Sequence, residues 1–384
     1  MINKLFIPFI GLLIGVVIGL YSIIPQITKN ITLIHTKDAG KKQVIGFLPY
    51  WLLNKAKSNY SDYITTLTYF GLNVGGNGNI IKLANPQEKD PGWNALSSGK
   101  LDTFLTNARK NNVKLSLLLS SGDSESINQL LANPIGHANT LMKDVMPIMK
   151  RYSFTDLNLD IEYTATPAAI TQKHFTQFVQ TIKQQINSHH LGTLTIEISP
   201  TDVIKQEIIN IQSIAPFADA IVLMAYDYHS PTSNVTGPVA PLNGAGISSE
   251  YDVTTAVEKS LQIMQPEKLI LGIPLYGYEW ETLNTAVRSA PIPGTGVMAS
   301  NNRMESFLSS CATCSAFFDN EAQEVFVVYQ NQDTGTYHQI SFPNQESMKA
   351  KVTLANTKQL GGVALWALGY EGSNILDPLV TYKP

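Results

Sequence analysis

The sequence contains only two cysteines among 384 residues, Cys311 and Cys314. That excludes a small fold held together by a disulfide framework. Charge is sparse as well: 27 Lys and Arg stand against 30 Asp and Glu, for a formal net charge of -3. No basic stretch stands out, which excludes nucleic-acid binding by charge. The histidines from His137 onward form no metal-ligand spacing, and the single Cys311-Ala312-Thr313-Cys314 lacks the second pair a structural zinc needs. Gly75-Gly76-Asn77-Gly78 is a turn, without the Lys-Ser/Thr of a phosphate cradle. Neither a metal nor a cofactor is therefore expected. Internal repeats and low-complexity tracts are also missing. Hydrophobic residues, by contrast, reach 44%. Such a chain is not disordered, and its length suits one large α/β barrel or two ordinary domains.

One apolar run is long enough to cross a bilayer: FIPFIGLLIGVVIGLYSIIP, from Phe6 to Pro25, preceded by Lys4. No small-x-small cleavage site follows it clearly. Residues 1–27 are expected to be a transmembrane or signal-anchor segment, and 28–41 a linker. A cleaved signal peptide is the alternative. Both readings make the rest of the chain extracytoplasmic, membrane-anchored by the N-terminus or secreted. The membrane is thus an expected partner through this segment, and the barrel itself is expected to be a monomer.

Beyond Lys42 short strand-like runs alternate with helical patterns. Strands are expected at 44–49, 64–72, 113–120, 154–161, 194–199, 220–225, 269–274 and 362–366, each rich in Val, Ile, Leu or Thr. Helices are expected at 101–111, 175–186 and 253–264, where apolar residues recur every three or four positions; Asp252 is the expected cap of the last. The pattern predicts an α/β fold, a (β/α)8 TIM barrel over 42–384, with reactive residues at the C-terminal ends of its strands. The connection between strands seven and eight is too long for a loop and contains a strand, turn and strand. A small α+β insertion domain is expected there, at 278–342.

The sharpest signal is Asp156-Leu157-Asn158-Leu159-Asp160-Ile161-Glu162. Side chains alternate faces along a strand, so Asn158, Asp160 and Glu162 share one face and the apolar residues the other. Two acids pointing into a barrel are costly, because close like charges resist joint ionisation. A paired acid also holds its proton more tightly, which suits general acid catalysis. A hydrogen-bond network fixing strand register is the bland alternative.

These residues resemble the DxDxE signature of glycoside hydrolase family 18, the chitinase family. Asn158 stands where the first Asp usually is, as in some bacterial members resembling spore-cortex and peptidoglycan N-acetylglucosaminidases. Three further segments resemble the family in the same order: Met224-Ala225-Tyr226-Asp227, Gly272-Ile273-Pro274-Leu275-Tyr276-Gly277, and Gly361-Gly362-Val363-Ala364-Leu365-Trp366. Departures are Thr155-Asp156 before the motif and Ser120-Ser121-Gly122-Asp123, which has one glycine fewer than the family's strand-three segment.

The resemblance implies retaining, substrate-assisted hydrolysis of β-1,4 bonds in GlcNAc-containing glycans such as chitin, chitooligosaccharides or peptidoglycan. Glu162 would be the general acid and Asp160 the residue that orients the substrate's acetamido group. Tyr226 would donate to the acetamido oxygen, and Asp227 would hold the other side of the sugar. Asn158 could hydrogen-bond Asp160 without adding charge. Trp366 would form the pocket floor. Tyr50, Trp51, Tyr276 and Trp280 are candidates to extend the cleft, with Trp93 and His229 as further ones; packing is the alternative for each. Outside the cytosol Cys311 and Cys314 would form a local disulfide, with free thiols as the alternative. A non-catalytic chitin- or glycan-binding lectin on the same barrel is the rival reading, against which Glu162 argues.

Overall fold

The computed structural model describes residues 42–205, 208–246 and 251–383. The expected anchor at 1–27 and linker at 28–41 lie outside the described residues. Among the described residues no helix is long and apolar enough to cross a membrane.

Seven parallel strands come first: β1 (Gln43–Pro49), β2 (Thr66–Asn73), β3 (Lys114–Ser121), β4 (Asp156–Ile161), β5 (Thr193–Ile198), β6 (Ala220–Leu223) and β7 (Leu269–Pro274). An inserted run follows: β8 (Tyr276–Thr282), β9 (Val297–Ser300), β10 (Ser315–Asp319), β11 (Glu324–Gln330) and β12 (Tyr337–Phe342). Strand β13 (Gly362–Trp366) then pairs with β7 and with β1, placing Gly362 opposite Gln43 and closing an eight-stranded barrel. The (β/α)8 barrel expected from sequence is the observed fold.

The alternation of β4 explains its placement. Leu157, Leu159 and Ile161 point outward and join one apolar cluster with Leu141 and Val145 of helix Pro134–Tyr152 and Phe178 and Ile182 of helix Ala169–Ser188. Burying each such side chain contributes about 1.5–3 kcal/mol. Asp252 caps helix Val253–Leu261 by accepting from the Thr255 N–H at 2.7 Å. Strand β6 stops at Leu223 rather than 225. The N–H groups of Ala225 and Tyr226 turn back to the carbonyls of Leu223 and Met224, and the chain leaves the ladder.

The inserted sheet is antiparallel, in the order β9-β8-β12-β11-β10. Helix Asn301–Ser310 covers it through Met304, which packs with Ala299, Val327 and Ile340. The sheet begins at Tyr276, directly after β7, and has five strands. Strands β9 and β10 escaped the pattern because Val297, Met298 and Phe317 are exposed, which blurs the alternation. Cys311 and Cys314 form a disulfide, S–S 2.02 Å, between that helix and β10.

A buried pair joins the insertion to the barrel. Glu324 accepts from the N–H groups of Val239 and Ala240 at 3.0 and 2.7 Å. Its carboxylate also lies 3.9 Å from Nζ of Lys351, on helix Gln345–Thr357.

Candidate active site

The inward face of β4 carries Asn158 and Asp160, which are 1% and 5% exposed. Glu162 lies one residue past the strand. Its N–H donates to the Ser121 carbonyl at 2.9 Å, extending the β3–β4 ladder and fixing the backbone beneath the side chain. Asp160 and Glu162 open into one cavity of about 180 Å³, together with Glu197, Tyr226, Asp227 and Trp366. A second cavity of about 270 Å³ shares Asp160, Glu162 and Glu197 and extends past Ser199 and Asp202.

Burial raises the proton affinity of Asp160 well above the ordinary carboxylate range, and the charge of Glu162 adds to it. Burial also raises Glu162, reinforced by Asp227 and Asp202. Glu162 and Asp227 present surface to solvent, but protein atoms crowd both carboxyls, and the crowding governs their proton affinity. Burial raises Asp227 as well, while the hydroxyls of Tyr276 and Tyr278 oppose the rise by donating to its Oδ1 at 2.6 and 2.8 Å. Tyr226 is pushed up by burial and by Glu197 and Asp160, so it remains a hydroxyl donor.

Local backbone positions this corner. Asp227 has φ 59°, a left-handed conformation that Asp tolerates better than bulky residues. A Cβ on Gly272 would meet the Leu223 carbonyl oxygen at 2.6 Å and Cε1 of Tyr226 at 3.0 Å. Only a glycine on β7 lets the Tyr226 ring lie so close.

The aromatic candidates divide. Trp366, half-buried, lines the cavity and meets Phe70 edge-on at 5.1 Å, Phe47 at 5.7 Å and Trp51 at 6.3 Å. Trp51 is exposed, and Tyr50 packs edge-on against it at 5.0 Å. Trp280 does not extend the cleft. It is 1% exposed, with its indole N–H donating to the Ser230 carbonyl at 3.2 Å. Tyr276 is equally buried and reaches the site only through its hydroxyl on Asp227. His229 is buried with Nδ1 on the Pro238 carbonyl, and Trp93 lies under Lys82.

The expected hydrogen bond between Asn158 and Asp160 is not formed. Nδ2 of Asn158 donates instead to Oε1 of Glu197 at 2.7 Å, and Oδ1 of Asn158 and of Asp160 have no partner. Sequence reasoning missed Glu197, although β5 alternates Thr193, Thr195, Glu197 just as β4 alternates its polar residues. It missed Phe47 and Phe70 too, which sit among apolar strand residues and carry no distinguishing signal. Asp156 was passed over as a departure from the motif. It lies on the inward face and accepts from Ser116, Thr193 and Thr195 at 2.6, 2.5 and 3.0 Å.

A model of the family described as "Glycosyl hydrolases family 18" matches residues 43–371. The chain belongs to that family. Among family 18 relatives, it is 25% identical over 274 residues to "Probable chitinase 2" of Drosophila melanogaster, covering 67% of this chain and 56% of the fly protein. It is 23% identical over 323 residues to the "Cortical fragment-lytic enzyme" of Bacillus subtilis (strain 168), covering 83% and 67%. The chain thus spans little more than half the length of the fly relative. The Group IV chitinase of Ostrinia furnacalis has the same fold, with TM-score 0.77 and 22% identity over 89% of this chain and 99% of that one. Within the family signature, the amide of Asn158 occupies the first acidic position here, with Glu197 as its partner.

Proposed function

We propose that the chain hydrolyses β-1,4 glycosidic bonds in GlcNAc-containing glycans with retention of configuration. One observation carries this reading: Asp160 and Glu162, at the end of a single strand, open into the same cavity as Tyr226, Asp227 and Trp366. Glu162, whose proton affinity is raised by burial and by Asp227 and Asp202, gives its proton to the leaving glycosidic oxygen. The substrate's own acetamido carbonyl oxygen attacks the anomeric carbon as the bond to the leaving group breaks, forming an oxazolinium ion. Asp160 accepts from the acetamido N–H, while Tyr226 donates to the acetamido oxygen. Glu162, now a carboxylate, takes a proton from water, whose oxygen opens the ring at the same face. Trp366 offers an apolar face for the sugar. No observation favours the lectin reading.

The finer reading is a peptidoglycan N-acetylglucosaminidase. Asn158 in the first motif position and the likeness to the Bacillus cortical enzyme support it; the name of the fly relative supports chitin equally. We propose further that residues 1–27 hold a monomeric barrel outside the cytosol.

The test uses two synthetic substrates that differ only at C2 of the cleaved sugar, acetamido against hydroxyl. The acetamido compound is expected to turn over and the hydroxyl compound not. Appreciable turnover of the hydroxyl compound would sink the mechanism. Product masses from chitooligosaccharides, purified peptidoglycan and an N-glycan then choose the substrate.

A further inference from the structure

Three acidic side chains are buried inside the barrel, Asp156 and Asp160 on β4 and Glu197 on β5, and a fourth, Glu162, stands at its mouth past the end of β4. Among the described residues none of them takes part in an ion pair. So many carboxyls cannot all ionise together at low cost. Three hydroxyl donors answer Asp156. Glu162 and Asp160 already have roles in the hydrolysis proposed above. Glu197 has none there. Yet it is 3% exposed, lines both cavities, and is held by Asn158 at 2.7 Å. An acid buried this deeply without a cation is a structural burden, which makes its presence informative.

We infer that Glu197 is a positioning residue for Asp160 and Glu162, reaching the floor of the site from β5 and docked there on the amide of Asn158. The inference rests on the hydrolase reading. Asn158 cannot exchange a proton with Asp160, because an amide does not titrate. Glu197 returns a titratable group to this layer of the barrel from the neighbouring strand, and its hydrogen bond fixes which way the Asn158 amide turns. Burial raises its proton affinity, Asp160 adds to the rise, and the bond from Asn158 opposes it. The groups facing it are Asp156, Asp160 and Glu162 from β4 and its end, and Tyr226 beyond β6. All of these become negative when they ionise. Whenever Glu197 ionises, its charge therefore holds protons on Asp160 and Glu162 to higher pH. Where Glu197 is ionised it adds to burial, Asp227 and Asp202 in keeping the general acid loaded.

The variant Glu197→Gln keeps the shape and an acceptor for Asn158 but cannot carry charge. On a GlcNAc-containing substrate its kcat/KM should lose activity on the alkaline side at a pH about one unit lower than the parent, with KM within about twofold. A merely structural residue would leave that limb in place. A second readout needs no turnover. Carboxyl 13C NMR of the ligand-free protein, with signals assigned through D160N and E162Q, should show the midpoints of Asp160 and Glu162 moving to lower pH in E197Q. In N158A the midpoint of Glu197 itself should rise, because the opposing hydrogen bond is gone. Unmoved midpoints in these variants overturn the inference. A parent protein that cleaves no GlcNAc glycan would instead overturn the hydrolase reading, and the NMR midpoints would still judge Glu197.

Discussion

Tyr276 stands behind Asp227. Its hydroxyl donates to Asp227 Oδ1 at 2.6 Å from a side chain that is 1% exposed. Y276F would keep the ring packed and delete one of the two tyrosine hydrogen bonds that restrain the proton affinity of Asp227. A hydrogen bond to a charged group is worth about 1.5–3 kcal/mol, or roughly one to two pH units. The acidic limb of kcat/KM is expected to move up, by less than this because solvent reaches Asp227 and screens the loss, since Asp227 would be protonated at higher pH. A pH profile superimposable on the parent would show that the carboxylate form of Asp227 is not required.

The proposed hydrolysis assigns its proton transfer to Glu162 and the orientation of the acetamido group to Asp160. E162Q keeps the shape and removes the proton, so kcat should fall by about 10²–10⁴-fold while oligosaccharide binding survives. D160N should also lower kcat, since the acetamido group loses its orienting partner. Turnover assays paired with calorimetric binding would separate the two effects. Full activity in E162Q would remove Glu162 from the role of acid.

The barrel and the acidic strand were legible because both obey local rules. Each barrel strand is a short apolar run, and Asp160 and Glu162 follow the period-two alternation of their own strand. Glu197 was not legible as part of the site, because its partnership with Asn158 joins residues 39 apart through the pairing of β4 with β5. Trp280 was misread for a similar reason. An aromatic just past a barrel strand looks the same in sequence whether it faces the mouth or packs away from it. The pairing of β8 with β12 and the hydrogen bond to Ser230 decide the matter.

Asp156 couples stability to pH. Burial pushes its carboxyl up to about 6, against the hydrogen bonds from Ser116, Thr193 and Thr195. The folded chain holds this proton more tightly than the unfolded one. The stability it supplies is therefore full below about pH 4 and is lost as pH rises through about 6. The swing is on the order of 3 kcal/mol. Urea titrations at several pH values should show a steeper decline between about pH 4 and 7 for the parent than for D156N. Parallel curves would place the proton elsewhere.

The apolar run from Phe6 to Pro25 is expected to keep the full chain in the membrane fraction with its N-terminus intact. Fractionation and N-terminal sequencing check this. Soluble protein beginning between Pro25 and Lys41 would favour a cleaved signal peptide.

Glu324 works as a latch. Its carboxylate grips two consecutive backbone amides, those of Val239 and Ala240, with Lys351 closed in beside it. Any small tilt of the inserted sheet would stretch these bonds before water could enter to replace them. The inserted sheet is therefore held against the barrel at this point as a fixed wall rather than a rocking one. Hydrogen exchange would register the difference: the amides of Val239 and Ala240 should exchange no faster than those of β6, and faster exchange there would mean the wall moves.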